Sequence, residues 1–494
     1  LHHYMPLVQF HNHWSSSPVL IGKFLRLPTA PTMGTLQVEP TTDCHVVAMP
    51  YPGRGHINPL MNICKQLVSR DPNILVTFVV TEEWLGLIGS DPKPDRIRFG
   101  TVPNVIPSEH GRAKDFSGFV QAVSTKLEAP FVELLDRLEP PVCAIIADAY
   151  VIWMTGVGNR RNIPVASLWP MSATMFSMLY HFELLQQKGH FPADISERGH
   201  EIVDYIPGIS TIRLADLPSF FDGQGRKTLH IALEAASRVS KAQFLLSTSV
   251  YELESQVFDA LKAKFPFPVY PIGPSIPHLQ LQSSSSSHIN GVDYLKWLDS
   301  QPKGSVMYIS LGSYLSVSSA QLDEIVAGVR GSGTRYLWVA RDNVSKIKDG
   351  CGDVGFVVPW CDQLRVLCHP SIGGFWTHCG WNSTLEALFS GVPLLTCPIF
   401  WDQIPNSKQI VEDWKIGYKV KKSGTMATDK ILVTRDEIAE LVKRFMDRES
   451  SKAKVMRERV EQLKEACHKA ITKGGSSDTN LDAFIRYISQ GHGR

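Results

Sequence analysis

No stretch of this sequence is apolar for long enough to cross a membrane, since none approaches the ~18 residues a helical span requires. An excess of one charge is also missing. Lys and Arg number 50 against 48 Asp and Glu, a net charge of +2, so no basic field marks a nucleic-acid partner. Cysteines stand at 44, 64, 143, 351, 361, 368, 379, 397 and 467, with no CxxC pair. That odd, loosely spaced set suits reduced thiols and a cytoplasmic location better than a disulfide framework. Cys361, Cys368, His369, His378 and Cys379 lie close in sequence but fit no zinc-ligand spacing, so buried thiols and no metal are expected. The first 32 residues lack the apolar core and small-residue cleavage site of a secretory signal. The expectation is that Met33 is the natural start and 1–32 a non-native or disordered leader, with a weak organelle-targeting segment as the alternative.

What is present is ordinary globular composition, 43% hydrophobic and 20% charged, over 494 residues. That length implies two domains rather than one core. Residues 44–49 (CHVVAM), 75–80 (LVTFVV) and 142–147 (VCAIIA) read as strands covered on both faces, with a helix over 58–69 between the first two. Beyond Pro274 and Pro277, the run 283–287 is all serine and reads as a solvated linker. A second βα series follows: strands at 305–310, 336–340, 373–377 and 392–397, and a helix at 320–328. Alternating strands and helices predict two doubly wound α/β domains. Residues 480–488 (NLDAFIRYI) have helical apolar spacing and are expected to pack back across the domains. The predicted division is therefore leader 1–32, N-terminal domain 33–277, linker 278–291, C-terminal domain 292–475 and helix 476–494.

Three places could carry chemistry. After the first strand, Gly53 and Gly55 permit a tight turn, but Asn58 occupies the third glycine position of a dinucleotide fingerprint and no clear acidic partner follows. His56 is read there on the loop beyond the strand's carboxyl end, either as a proton acceptor or as a helix cap. Asp148 ends another strand and can orient His56 or cap a helix near Tyr150. The third place is a strand ending at Thr377, a turn at Gly380 and a helix start near Ser383. Such a start binds anions, with His378, Asn382 and Ser383 as added donors. Ser383 and Glu386 also have the spacing of a capping box, which needs no ligand.

The 44 residues 360–403 resemble the signature box of plant family 1 UDP-dependent glycosyltransferases, in register at Trp360, Gln363, His369-Pro370, Gly373-Gly374-Phe375, His378-Cys379-Gly380-Trp381-Asn382-Ser383, Glu386, Gly391-Val392-Pro393 and Trp401-Asp402-Gln403. Gly55-His56-Ile57-Asn58-Pro59, Leu311-Gly312-Ser313 and Gly474-Gly475-Ser476-Ser477 extend the likeness over nearly everything after about His45. Residues 49–59 and 79–86 look most like the group called UDP-glycosyltransferase 87A.

The resemblance implies the GT-B fold, two facing Rossmann-like domains with UDP-sugar on the C-terminal one and acceptor on the N-terminal one. It implies that Trp360 stacks on uracil, the Cys361 backbone pairs with it, and Gln363 and Glu386 hold the ribose. His378, Asn382, Ser383 and Ser313 are assigned to the diphosphate, with Ser167 near it, and Gly380 and Trp401 to the UDP-sugar site. Trp381, Asp402 and Gln403 are assigned to the sugar, and Gln403 favours glucose where histidine is associated with galactose. His56 becomes the general base and Asp148 its supporting acid. The implied reaction is inverting, metal-independent transfer of glucose from UDP-glucose, a co-substrate rather than a cofactor, to a hydroxyl or carboxyl of a small hydrophobic plant metabolite such as a flavonoid, phenolic, terpenoid or hormone. A monomer is expected. The rival readings are a non-catalytic UDP-sugar-binding protein, a transferase using another UDP-sugar, and a nicotinamide-dependent reductase. Cys361-Asp362 departs from the family's usual Ala-Pro, and Ile404-Pro405 follows the box where other residues are common. Acceptor-lining residues are expected from 104–130, 171–225 and especially 214–220.

Overall fold

Short β-branched and aliphatic runs form the centre of each half because both faces of a parallel sheet are buried. The computed structural model describes residues 44–112, 115–219, 223–282, 294–312, 317–340, 347–348, 354–421 and 432–490. The leader, the serine run and Ser313 lie outside these. The N-terminal lobe contains β1 (Cys44–Met49), β2 (Ile74–Thr81), β3 (Ile97–Val102), β4 (Val142–Asp148), β5 (Val165–Trp169), the small pair β6 (Ile202–Val203) and β7 (Ile212–Arg213), β8 (Phe244–Ser247) and β9 (Val269–Pro271). The C-terminal lobe contains β10 (Val306–Ser310), β11 (Arg335–Val339), β12 (Gly355–Val358), β13 (Ile372–Thr377), β14 (Leu394–Thr396) and β15 (Gly417–Lys419).

The first sheet runs β3-β2-β1-β4-β5-β8-β9 and the second β12-β11-β10-β13-β14-β15, and the pairings along both are parallel. Strand order reverses between β1 and β4 in one and between β10 and β13 in the other. Open α/β sheets bind ligands at that reversal, beyond the strands' carboxyl ends. The two doubly wound domains are therefore present. Strands β3, β5, β8, β9, β12 and β15 were not distinguished in the sequence. Several are only three to five residues long and sit in windows with no clear period.

The helix Ser476–Ser489 lies on the N-terminal lobe, with Leu481, Phe484, Ile485 and Ile488 in the core that holds Val46, Val76 and Phe244. Arg70 pairs with Asp478 and Asp482, and Asn480 Nδ2 donates to the Pro271 carbonyl at 2.8 Å. The chain thus returns to the lobe where its described part begins. On the other side, Gln409 Nε2 donates to Thr174 Oγ1 at 3.0 Å and Glu254 Oε1 at 3.3 Å, and Arg213 pairs with Glu412.

Among the described residues no helix is long and apolar enough to span a membrane, no group of His, Cys, Asp and Glu converges as a metal site, and the cysteines are free thiols.

Candidate active site

A cleft of about 700 Å³ separates the lobes and is lined from both. On the N-terminal side the helix Arg54–Arg70 begins directly after Gly53, so His56 is its third residue. This corrects the expectation of a loop. The apolar spacing starts only at Ile57 because the first turn faces the cleft with polar residues, and periodicity cannot detect a turn of that kind.

His56 Nδ1 lies 2.7 Å from Asp148 Oδ2. The His56 side chain is 25% exposed and that of Asp148 is fully buried, so the pair is anchored on one side and open on the other. Asp148 is the last residue of β4, and its Oδ1 accepts from Tyr150 N–H at 2.9 Å. Orienter and backbone cap are therefore both true, one oxygen for each. A carboxylate only accepts, so Nδ1 carries the imidazole proton and Nε2 keeps its lone pair for the cleft. Tyr51 and Tyr150 flank the ring at 5.1 and 6.2 Å between centroids. Neither tyrosine was anticipated, although Tyr150 stands two residues from Asp148.

On the C-terminal side the helix is Trp381–Ser390, with Gly380 as its N-cap and no side-chain cap. The capping box expected at Ser383 and Glu386 does not form. The helix starts two residues earlier, which puts both side chains past the N-cap. Gln363 Nε2 bridges them instead, to Ser383 Oγ at 3.0 Å and Glu386 Oε2 at 2.5 Å, while Gln363 Oε1 accepts from Tyr308 at 3.1 Å. Having accepted, the Ser383 hydroxyl keeps its own proton to donate. The first amides of the helix thus have no side-chain acceptor, the condition that suits an anion.

His378 is wedged between two glycines. A Cβ at Gly312 (φ +87°) would lie 2.9 Å from the ring, and one at Gly380 would lie 2.5 Å from Nε2. Burial pushes its pKa down to about 4, so it enters the cleft as a neutral imidazole rather than a cation. Burial also pushes the Glu386 carboxyl up to about 7 and that of Asp402 up to about 6. Asp402 accepts from Asn406 Nδ2 at 2.9 Å and is held down somewhat by His56.

Gln403 Oε1 accepts from the amides of Ile399 and Phe400 at 2.8 and 3.0 Å, which leaves its NH₂ as the remaining polar group. Trp401 N–H donates to Ser219 Oγ of the other lobe at 2.8 Å. Trp360 is 44% exposed on the cleft wall, a large aromatic face left open. The Cys361 thiol is buried, protonated (its pKa is pushed up to about 12) and 3.4 Å from Tyr308 Oη. Asp362 caps the short helix Gln363–Leu367 through Arg365 N–H.

Trp381 lines the cleft but is 3% exposed, with its indole in the C-lobe core beside Trp414. Two expectations need revision. Ser167 lies beside Thr155 in a small void behind Asp148 and does not line the cleft. Of 214–220, residue 220 lies outside the described residues, Leu214 and Leu217 are core, Asp216 lies 3.8 Å from Lys419 and Ser219 holds Trp401. The described residues of that stretch join the lobes and do not line the cleft. The wall beside His56 comes from Tyr51, Phe116, Val120, Tyr150, Met171 and Phe400.

Residues 226–463 match the family described as UDP-glucoronosyl and UDP-glucosyl transferase. UDP-glycosyltransferase 87A1 of Arabidopsis thaliana is 56% identical over 444 residues, covering 90% of this chain and all of the relative. UDP-glycosyltransferase 87A2 of the same plant is 55% identical, covering 90% and 97%. Among solved structures, Phytolacca americana UGT2 complexed with UDP-2fluoro-glucose and pterostilbene aligns with a TM-score of 0.75 at 28% identity, covering 90% and 100%. Medicago truncatula UGT71G1 complexed with UDP-glucose aligns at 0.76 and 26%, covering 91% and 99%.

Proposed function

The chain belongs to the plant UDP-glycosyltransferases, is most like the 87A group and has their GT-B fold, and from that premise we propose that it transfers glucose from UDP-glucose to a hydroxyl of a small, largely apolar acceptor with inversion. One observation carries this reading. The His56–Asp148 pair stands at the switch point of one sheet, and the uncapped helix start at Trp381 stands at the switch point of the other.

An acceptor hydroxyl is a weak nucleophile near neutral pH. His56 Nε2 takes its proton as the oxygen attacks C1 of the sugar, and Asp148 stabilises the imidazolium that forms. Attack opposite the UDP oxygen converts an α-linked donor into a β-glucoside. The C1–O bond to UDP breaks with its electron pair on the diphosphate, where the helix amides, Ser383 and the neutral His378 N–H receive the charge. These preorganised donors suffice without a metal. Trp360 stacks on uracil, Glu386 accepts from the ribose with Gln363 orienting it, and Asp402 and the Gln403 amide face the sugar. Ser313, outside the described residues, remains assigned to the diphosphate by resemblance. The wall of Tyr51, Phe116, Tyr150, Met171 and Phe400 suits a flat aromatic or terpenoid alcohol, and pterostilbene bound to the Phytolacca relative is of that kind.

Purified protein given UDP-glucose and a panel of flavonoids, phenolic acids and hormone-like alcohols is expected to release UDP only when acceptor is present. NMR of the product is expected to show a β-linked glucose, with rates unaffected by EDTA. UDP-galactose supporting faster transfer, an α-linked product, or release of UDP that ignores the acceptor would each overturn the reading.

Glu386 makes ribose recognition pH-dependent. Its pKa lies above the ordinary carboxylate value, so protonation favours the empty protein, and that contribution fades as pH rises through about 7. Ribose hydroxyls donate best to the ionised form. Uridine, which has the ribose and no phosphate, is therefore expected to raise Tm more at about pH 8 than at about pH 6. Glu386→Gln is expected to flatten that difference; the same slope in the variant would assign it to another group.

A further inference from the structure

The helix that carries His56 contains Pro59. Proline has no N–H, and its ring crowds the carbonyl four residues earlier. In this helix that carbonyl belongs to Gly55, the residue before His56, so Gly55 lacks the intrahelical donor its neighbours have. Its partner comes from the other lobe: Asn382 Nδ2 donates to Gly55 O at 2.8 Å. Asn382 is the second residue of the helix whose open start faces the diphosphate. One hydrogen bond thus ties the helix of the proposed base to the helix of the proposed anion site.

We propose that Pro59 and Asn382 are positioning residues for the transfer step: Pro59 frees the Gly55 carbonyl, and Asn382 uses it to hold His56 in register with the sugar–phosphate bond. This rests on the function assigned above. It also changes what Asn382 contributes, since its side-chain amide is engaged across the cleft and its main-chain N–H remains for the anion. The pairing acts at the point where register matters most. His56 is one residue from the tie, whereas the cross-lobe contacts of Gln409 with Thr174 and Glu254, Arg213 with Glu412, Asp216 with Lys419 and Trp401 with Ser219 come from elements that carry neither His56 nor Asp148.

Pro59 lines the cleft but is none of the groups assigned to proton transfer or to UDP-glucose, so Pro59→Ala tests the idea with those groups in place. Alanine restores an N–H that can satisfy Gly55 within the helix, and it is the better helix former, so Tm is expected to hold or rise. Turnover is expected to fall about 10- to 100-fold, the cost of a misplaced base. The Kd for UDP by calorimetry and the KM for UDP-glucose are expected to stay at wild-type values. A merely structural role for Pro59 would lower Tm, or would leave kcat alone. In the double variant with Asn382→Ala, turnover is expected to be no lower than in Asn382→Ala alone, because both changes remove one bond. Wild-type kcat in Pro59→Ala, or multiplicative losses in the double variant, would overturn the proposal while an inactive His56→Ala left the assigned reaction standing. Full turnover in His56→Ala would remove the assigned reaction and this proposal together.

Discussion

Alanine in place of His56 is expected to leave UDP binding intact and to lower kcat about 10²–10⁴-fold, the usual worth of a positioned general base. The side chain is one-quarter exposed and, among the described residues, its only side-chain hydrogen bond is to Asp148, so the loss is chemical rather than structural. The groups assigned to the diphosphate lie on the other lobe and do not depend on it. Calorimetric UDP titration beside steady-state transfer rates separates the two effects. A kcat near that of the wild type would mean that another group takes the acceptor proton. A parallel loss of UDP affinity would mean that His56 supports the donor site.

Asparagine in place of Asp148 is expected to be nearly as damaging, although it changes almost no volume. Tyr150 N–H donates to Oδ1, so the asparagine oxygen stays on that side and its NH₂ turns to His56 Nδ1. Nδ1 must then accept, the imidazole proton moves to Nε2, and the lone pair aimed at the acceptor disappears. The same exchange in the serine-protease triad costs about 10⁴ in kcat, and a loss of about 10²–10⁴ is expected here. The cap on Tyr150 survives, so Tm should change little. ¹⁵N NMR of His56 reads the tautomer directly. A normal rate with the proton on Nε2 would show that His56 is not the base, and a normal rate with the proton on Nδ1 would show that the asparagine is oriented the other way.

Motif register made most of the site legible in advance. Residues 360–403 carried the resemblance to the family because many small, aromatic and polar positions must match at fixed spacing. Strand runs such as CHVVAM and CAIIAD revealed the α/β class because burial on both faces leaves little choice of residue. Local readings failed where two elements compete. Ser383 and Glu386 have capping-box spacing, yet Gln363, twenty residues away from Ser383, holds both. Residues 214–220 read as an apolar pocket wall, but apolar sequence does not say which side of a wall faces the ligand.

The sequence by itself determined the family, the two-lobed α/β plan, and the identities of His56, Asp148 and the box residues. These follow from short-range pattern, since β-strand burial and turn geometry constrain residue type locally. Only the tertiary structure decided that His56 stands on a helix, that Asp148 divides its two oxygens between base and backbone, and that Gln363 rather than the helix start holds Glu386. It alone showed that Pro59 leaves the Gly55 carbonyl to Asn382, 327 residues further along the chain. Hydrogen-bond partners and burial-shifted charges depend on which distant segments the fold brings to one place, and spacing along a chain carries no record of that.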